Sequence, residues 1–146
     1  MEEPITAALR ELQDRVAIRD VLLRYACGVD RRDLPLVAAC FTAHADYEGA
    51  LGTGTVETAL AALPQRLQRY ERTMHFMGNQ LIEVNGDTAT SETYAIAYHN
   101  LVEDGARTLL TVGIRYLDDF VRADGTWRIC RRVVQREWER REAMNG

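Results

Sequence analysis

The chain has 146 residues, is 47% hydrophobic and 27% charged, and carries a formal net charge of −4. That length suits one domain spanning residues 1–146 and able to bury roughly 70% of its unfolded surface, and the acidic balance gives no pull toward nucleic acid or an anionic membrane. All 18 basic residues are arginine, which excludes lysine Schiff-base chemistry and a phosphate-loop lysine.

The opening Met1-Glu2-Glu3-Pro4 is acidic, and no apolar run approaches the ~20 residues of a membrane span. Cys27, Cys40 and Cys130 are scattered and form no CxxC pair. They read as reduced thiols in a cytoplasmic protein. Thr6 is a candidate cap for a first helix, in which Leu9, Leu12, Val16, Val21, Leu22 and Tyr25 recur at helical spacing and which ends near Gly28. Asp33 can cap a short second helix with Pro35 in its first turn. Ala45 to Glu48 reads as a short strand, followed by a flexible Gly52-Thr53-Gly54-Thr55. A third helical region from Val56 to Glu71 contains Pro64, which should break or kink it. His44 lies in a polar loop and reads as a surface residue.

From Thr73 to Asn100 two runs rich in β-branched and aromatic residues flank Asn85-Gly86, a hairpin signal. His75 and His99 both fall at the end far from the turn. A two-residue Asn85-Gly86 loop pairs Val84 with Asp87 and puts the histidines on opposite faces. A three-residue loop pairs Glu83 with Asp87 and puts both on one face, with His75 opposite Ala95. Both loops are open at this level. In the second case Ala95 and Ala97 share the face of the histidines and leave room for a ligand. A strand from Thr108 to Val121 and another from Thr126 to about Trp138 follow. The arginine-rich end, Arg131-Arg132 through Arg140-Arg141, is interleaved with Glu137, Glu139 and Glu142 and reads as a solvated edge. Helices first and strands afterwards argue an α+β fold with helices on one face of a curved antiparallel sheet.

Several stretches carry a family resemblance. Arg15-Val16-Ala17-Ile18-Arg19-Asp20, Tyr25-Ala26, Val29-Asp30-Arg31-Arg32-Asp33 and Cys40-Phe41-Thr42 are similar to the opening of SnoaL-like proteins of the NTF2-like superfamily. So are Thr73 to Asn79, Val84 to Ala89, and the closing Arg122 to Ile129. The resemblance covers about residues 12–135 and implies a cone of bent antiparallel sheet, closed by helices around a deep apolar pocket. At functional positions the chain most resembles scytalone dehydratase, which places the catalytic aspartate on Asp30, histidines on His75 and His99, and a pocket tyrosine on Tyr47. Hexachlorocyclohexane dehydrochlorinase is similar through Gly28-Val29-Asp30 and His75. Two positions depart from the dehydratase: Val29 stands where it has a second tyrosine, and Tyr116 where it has an asparagine. Tyr25, Val29, Met77, Asn79, Ala95, Ala97 and Tyr116 are the candidate substrate-binding residues.

Removing a proton next to a carbonyl needs a base near neutral pKa, which imidazole supplies. An aspartate on one ring nitrogen sets the tautomer and steadies the imidazolium. His99 or Tyr47 could donate to the developing oxyanion or leaving hydroxyl. These residues point to a lyase or isomerase of dehydratase type acting on a small, mostly apolar molecule, with no cofactor required. Halide elimination or epoxide opening would use the same base. A non-catalytic binding or oligomerisation module is the competing class. Two histidines and a carboxylate could also hold a metal, but neither His75 nor His99 belongs to an HxxxH or HxD spacing. The resemblance further implies a homodimer or higher homo-oligomer, paired through the outward side of the strands from Thr108 to Trp138.

Overall fold

A computed structural model of the protein describes residues 3–145; Met1, Glu2 and Gly146 lie outside the described residues. Helix α1 spans Pro4–Arg31 and starts at Pro4, where a missing N–H costs nothing. Thr6 is therefore not a cap: it sits inside the first turn, its N–H donating to the Glu3 carbonyl at 3.0 Å. The helix also runs a turn past Gly28. It closes at Arg32, in left-handed backbone (φ 56°), with the Arg32 and Asp33 amides donating to Val29 and Gly28. Gly28 serves close approach instead of termination, because a Cβ there would meet Val37 Cγ2 at 2.8 Å. Asp30 consequently stands on a rigid helical turn.

At 28 residues α1 is about 42 Å long and overhangs the sheet it packs on. Ile18, Val21, Leu22 and Tyr25 are buried, but Leu9, Leu12 and Val16 are 55–59% exposed, contrary to a continuous core stripe. Asp14 marks where the helix meets the body, accepting from Trp127 Nε1 (3.0 Å) and from Arg122. Helix α2 (Leu34–Ala39) is capped by the Asp33 side chain on Leu36 N, as expected. Helix α3 (Val56–Leu67) is capped by Thr55 and contains Pro64 without a break, since only its last turn follows the proline. Among the described residues no helix is long and apolar enough to cross a membrane.

The strands are β1 (Phe41–Gly49), β2 (Gly52–Thr55), β3 (Arg72–Asn85), β4 (Thr88–Glu103), β5 (Ala106–Ala123) and β6 (Thr126–Ala143). They form one sheet in the order β2-β1-β6-β5-β4-β3, antiparallel except for the parallel β1/β6 pair. The glycine-rich segment expected to be flexible is thus strand β2, pairing Gly52 with Gly49 and Thr55 with Asp46. The last two strands extend past the limits expected from sequence, and the helices cover one face of the sheet.

The β3/β4 turn matches neither loop considered above. Asn85 pairs with Thr88 around a Gly86-Asp87 turn with Gly86 at φ 60°. That register places Val84, Ile82 and Gln80 on the inner side. Then Gly78 and Asn79 together oppose Tyr94, a bulge that switches the inward set to Met77, His75 and Thr73. His75 consequently pairs with Ala97, not Ala95, and His99 pairs with Thr73. Two more bulges shape β6. One at Cys130 follows Ile129 and turns Arg132 inward; the other, at Glu137, leaves Arg136 opposite Ile114 and Trp138 opposite Gly113. Trp138 lies flat across the outer face because Gly113 has no side chain: a Cβ there would sit 2.2 Å from the indole nitrogen. Met74, Phe76, Tyr94 and Trp138 form an exposed apolar band on this outer face.

Candidate active site

The concave side of the sheet encloses a cavity of about 280 Å³ closed by α1 and α3. Its walls are mainly apolar (Val29, Leu63, Leu67, Leu110, Val112, Ile114, Val134), with a short set of polar groups: Tyr25, Tyr47, Tyr70, Tyr116, Thr73, His75, His99, Arg66 and Arg136. A small apolar compartment with few polar groups is the usual form of a ligand site.

His75 and Asp30 meet at this wall. The ring Nδ1 lies 2.7 Å from Asp30 Oδ1, the His75 backbone N–H donates to Oδ2 at 2.7 Å, and the Thr73 hydroxyl donates to Oδ1 at 3.0 Å. Burial pushes the Asp30 carboxyl up, but the bonds from the His75 ring, its amide and Thr73 outweigh it and leave the pKa below the usual 3.8. An ionised carboxylate can only accept, so the proton shared with Asp30 sits on His75 Nδ1, and in the neutral form of the ring the lone pair is on Nε2. One carboxylate thus holds His75 by both ring and backbone, and the His75 side chain is only 8% exposed.

The two histidine rings are 6.2 Å apart, centroid to centroid, and nearly perpendicular. His99 stacks against Tyr70 at 4.6 Å, and its Nδ1 is 3.3 Å from the Leu110 carbonyl. Burial, then the proximity of His75, lowers its pKa from 6.5 to about 4. The ring is neutral at pH 7, and the Leu110 carbonyl can only accept. Nδ1 therefore holds the proton, and Nε2 is an acceptor. Donation from His99 to a substrate is disfavoured in this tautomer. Burial raises the Tyr47 phenol well above its ordinary pKa, so it stays protonated and able to donate.

The His99 shift sets a pH window. The unfolded chain takes up this proton from about 6.5 downward, the folded chain only near 4. The contribution of His99 to stability is full above 6.5 and is lost as pH falls toward about 4. Asp30 loses its own contribution only below 3.8. Melting curves at about pH 7 and about pH 4.5 should show a smaller acid-induced loss for His99→Gln than for the unaltered protein. Equal losses would contradict the assignment.

Beneath the cavity, Arg132 and Asp118 form a fully buried bidentate pair, Nε to Oδ1 at 2.7 Å and Nη2 to Oδ2 at 2.8 Å. The guanidinium lies 4.2 Å from the Tyr25 ring centre and 4.3 Å from that of Tyr116, so it stacks on both cavity tyrosines. Burial works against the Arg132 charge and Asp118 more than offsets it. Arg132 is thus no part of a solvated edge, because the bulge at Cys130 points it into the core.

Of the expected substrate-binding residues, Tyr25, Val29 and Tyr116 line the cavity. Met77 and Ala95 pack against the core, and Ala97 is fully buried. Asn79 lies exposed in the bulge, beside a hollow on the outer face. Tyr70, Thr73, Arg66 and Arg136 were missed. Thr73 was accessible from its spacing two residues before His75; the others needed the tertiary fold. His44 is exposed. Among the described residues, no three His, Cys, Asp or Glu side chains group to hold a metal ion.

Residues 10–133 match the SnoaL-like domain. The chain belongs to the SnoaL-like family. This SnoaL-like protein is 35% identical over 130 residues to the uncharacterized protein Rv2910c of Mycobacterium tuberculosis, covering 86% of this chain and 87% of that one. Solved structures share its fold at lower identity. A candidate scytalone dehydratase from Novosphingobium aromaticivorans has a TM-score of 0.80 at 20% identity, covering 89% of this chain and 88% of the other. The hexachlorocyclohexane dehydrochlorinase LinA-type3 from Novosphingobium barchaimii has a TM-score of 0.80 at 23% identity, covering 95% of each chain. The architecture of this SnoaL-like protein is the α+β, NTF2- and cystatin-like fold.

Proposed function

We propose that this SnoaL-like protein is a lyase or isomerase in which His75 removes a proton next to a substrate carbonyl and water leaves from the neighbouring carbon. The observation that carries this reading is the double grip of Asp30 on His75, through ring and backbone, on the wall of an otherwise apolar cavity. It places the proton on Nδ1, leaves Nε2 as the base and stabilises the imidazolium once formed. Tyr47 supplies the donor for the oxyanion or the departing hydroxyl. His99 accepts a bond from a substrate hydroxyl and orients it. The substrate is small and mostly apolar, with a carbonyl and a hydroxyl on adjacent reach. Fold relatives described as a candidate dehydratase and a dehydrochlorinase are in keeping with base-driven elimination.

Incubation with a panel of β-hydroxy ketones in deuterated water tests it. Deuterium should enter the carbon next to the carbonyl, with loss of one water in mass spectra where elimination completes. A panel member that binds tightly yet shows neither change would favour the non-catalytic binding module for that ligand class.

The same reading extends to assembly. Copies pair through the outer band of Met74, Phe76, Tyr94 and Trp138, which is too apolar and continuous to be left in water. Light scattering at micromolar concentration should give a mass well above the 16.6 kDa of one chain. A monomer would reject this interface.

A further inference from the structure

The proposed chemistry leaves two cavity groups without a task, Arg66 and Arg136. On α3, Leu63, Arg66 and Leu67 follow the i, i+3, i+4 spacing of one helical face, and they line the cavity together with Tyr70 from the segment just after the helix. An arginine in an apolar, inward stripe has to be explained. The buried Arg132 and the half-buried Arg122 are matched by carboxylates, Asp118 and Asp14. Among the described residues Arg66 has neither a carboxylate within salt-bridge range nor a side-chain hydrogen bond. Arg136 reaches the same cavity from β6, because the bulge at Glu137 keeps it opposite inward-facing Ile114; its one ion-pair partner is the solvent-side Glu139.

Among the described residues no aspartate or glutamate lines the cavity, Asp30 standing behind His75 and Thr73. Arg66 is therefore a half-buried, unpaired guanidinium at a mainly apolar wall, and Arg136, whose side chain is 48% exposed, adds a second positive charge at the cavity mouth. Both arginines line the same cavity as His99 and Tyr47. A partly desolvated arginine is costly when unpaired and is well matched by a planar carboxylate, which it can grip with two parallel N–H bonds.

We propose that the ligand of this cavity is an apolar carboxylic acid whose carboxylate is clamped by Arg66 and Arg136 beside His99, leaving its acidic carbon facing His75. This rests on the proton-abstraction reading for the orientation of the ligand, but not for the choice of a carboxylate. The substrate class it names is a hydroxy or keto acid with an aliphatic or aromatic body.

A matched pair of probes separates charge from shape: 2-naphthoate and its neutral isostere 2-naphthamide, titrated against the intact protein by fluorescence. The unaltered protein should prefer naphthoate by about tenfold or more, the scale of a charge-assisted pair. Arg66→Met should remove most of that preference while changing naphthamide affinity less than about threefold, which also shows that the variant is folded. Arg136→Met should remove part of it. Bound naphthoate should also raise the titration midpoint of His99, followed by ring-proton NMR, because an anion now lies beside it. Equal binding of both probes, no binding of either, or a preference that survives the Arg66→Met/Arg136→Met double substitution would overturn the proposal. The two readings fail separately. His75→Ala should leave the naphthoate preference in place, and a protein that exchanges deuterium into neutral ketones but shows no carboxylate preference refutes only the clamp.

Discussion

His75→Ala and Asp30→Asn are each expected to lower the rate of deuterium incorporation and water loss by on the order of 10²-fold or more. The first removes the base. The second keeps the shape of the carboxylate but lets the amide donate to the ring, so that Nδ1 becomes an acceptor and the proton moves to Nε2, where the lone pair is needed. Asp30 accepts three hydrogen bonds; with the amide nitrogen in the Oδ1 position Thr73 loses its acceptor, while the remaining oxygen still accepts from the His75 backbone. Ligand affinity should change far less, because the apolar walls remain. The double variant should be little worse than either single one, since two residues working as one unit fail together. Tyr47→Phe should cost less than the loss of the base, and His99→Gln less again. Equal and additive losses in affinity, with no rate to lose, would instead describe a binding protein.

The largest effect on stability is expected at Arg132. Replacing it with methionine leaves Asp118 fully buried without its counter-ion and removes the plane on which Tyr25 and Tyr116 stack. Breaking a buried pair from one side costs about 3–5 kcal/mol, because the remaining charge is neither solvated nor matched. Asp118→Leu together with Arg132→Met should recover much of that loss, as the apolar pair carries no desolvation cost. Urea denaturation of the three variants checks this. If the double substitution is as unstable as Arg132→Met alone, the missing charge partner is not the cause, and the stacked tyrosines become the better account.

Both residue pairs show how far the sequence could be read. Helix α2 and its Asp33 cap, the hairpin signals and the order of helices before strands were all legible, because each depends on neighbours within a few positions. The resemblance at Gly28-Val29-Asp30 and at His75 pointed to the pair that the structure brings within 2.7 Å. Arg132 was not legible, since a run of arginines and glutamates looks solvated until Asp118, on the adjacent strand, is known to face it. Nor was the exposure of Leu9, Leu12 and Val16: their spacing says which side of the helix they share, not whether the sheet extends that far. The hairpin was the most instructive case. Loop length was treated as the deciding variable for the facing of the two histidines, whereas a bulge eight residues upstream of Gly86 decides it.

That bulge restricts how this hairpin can vary. Facing along a strand depends on whether a count is odd or even, and Gly78-Asn79 adds one residue on β3 that β4 does not match. Straightening Gly78-Asn79 into regular strand at constant length, with the Gly86-Asp87 turn kept, would rotate Thr73 and His75 to the convex side, away from Asp30, and bring Met74 and Phe76 inward. Deleting one of the two residues instead removes the surplus and leaves Met77 opposite Ala95 and His75 opposite Ala97. An insertion elsewhere in β3 preserves the site only where another bulge absorbs it. Descendants of this chain should thus be free to change the composition of the hairpin, and even to lose a residue at the bulge, while the inward facing of Thr73 and His75 stays fixed.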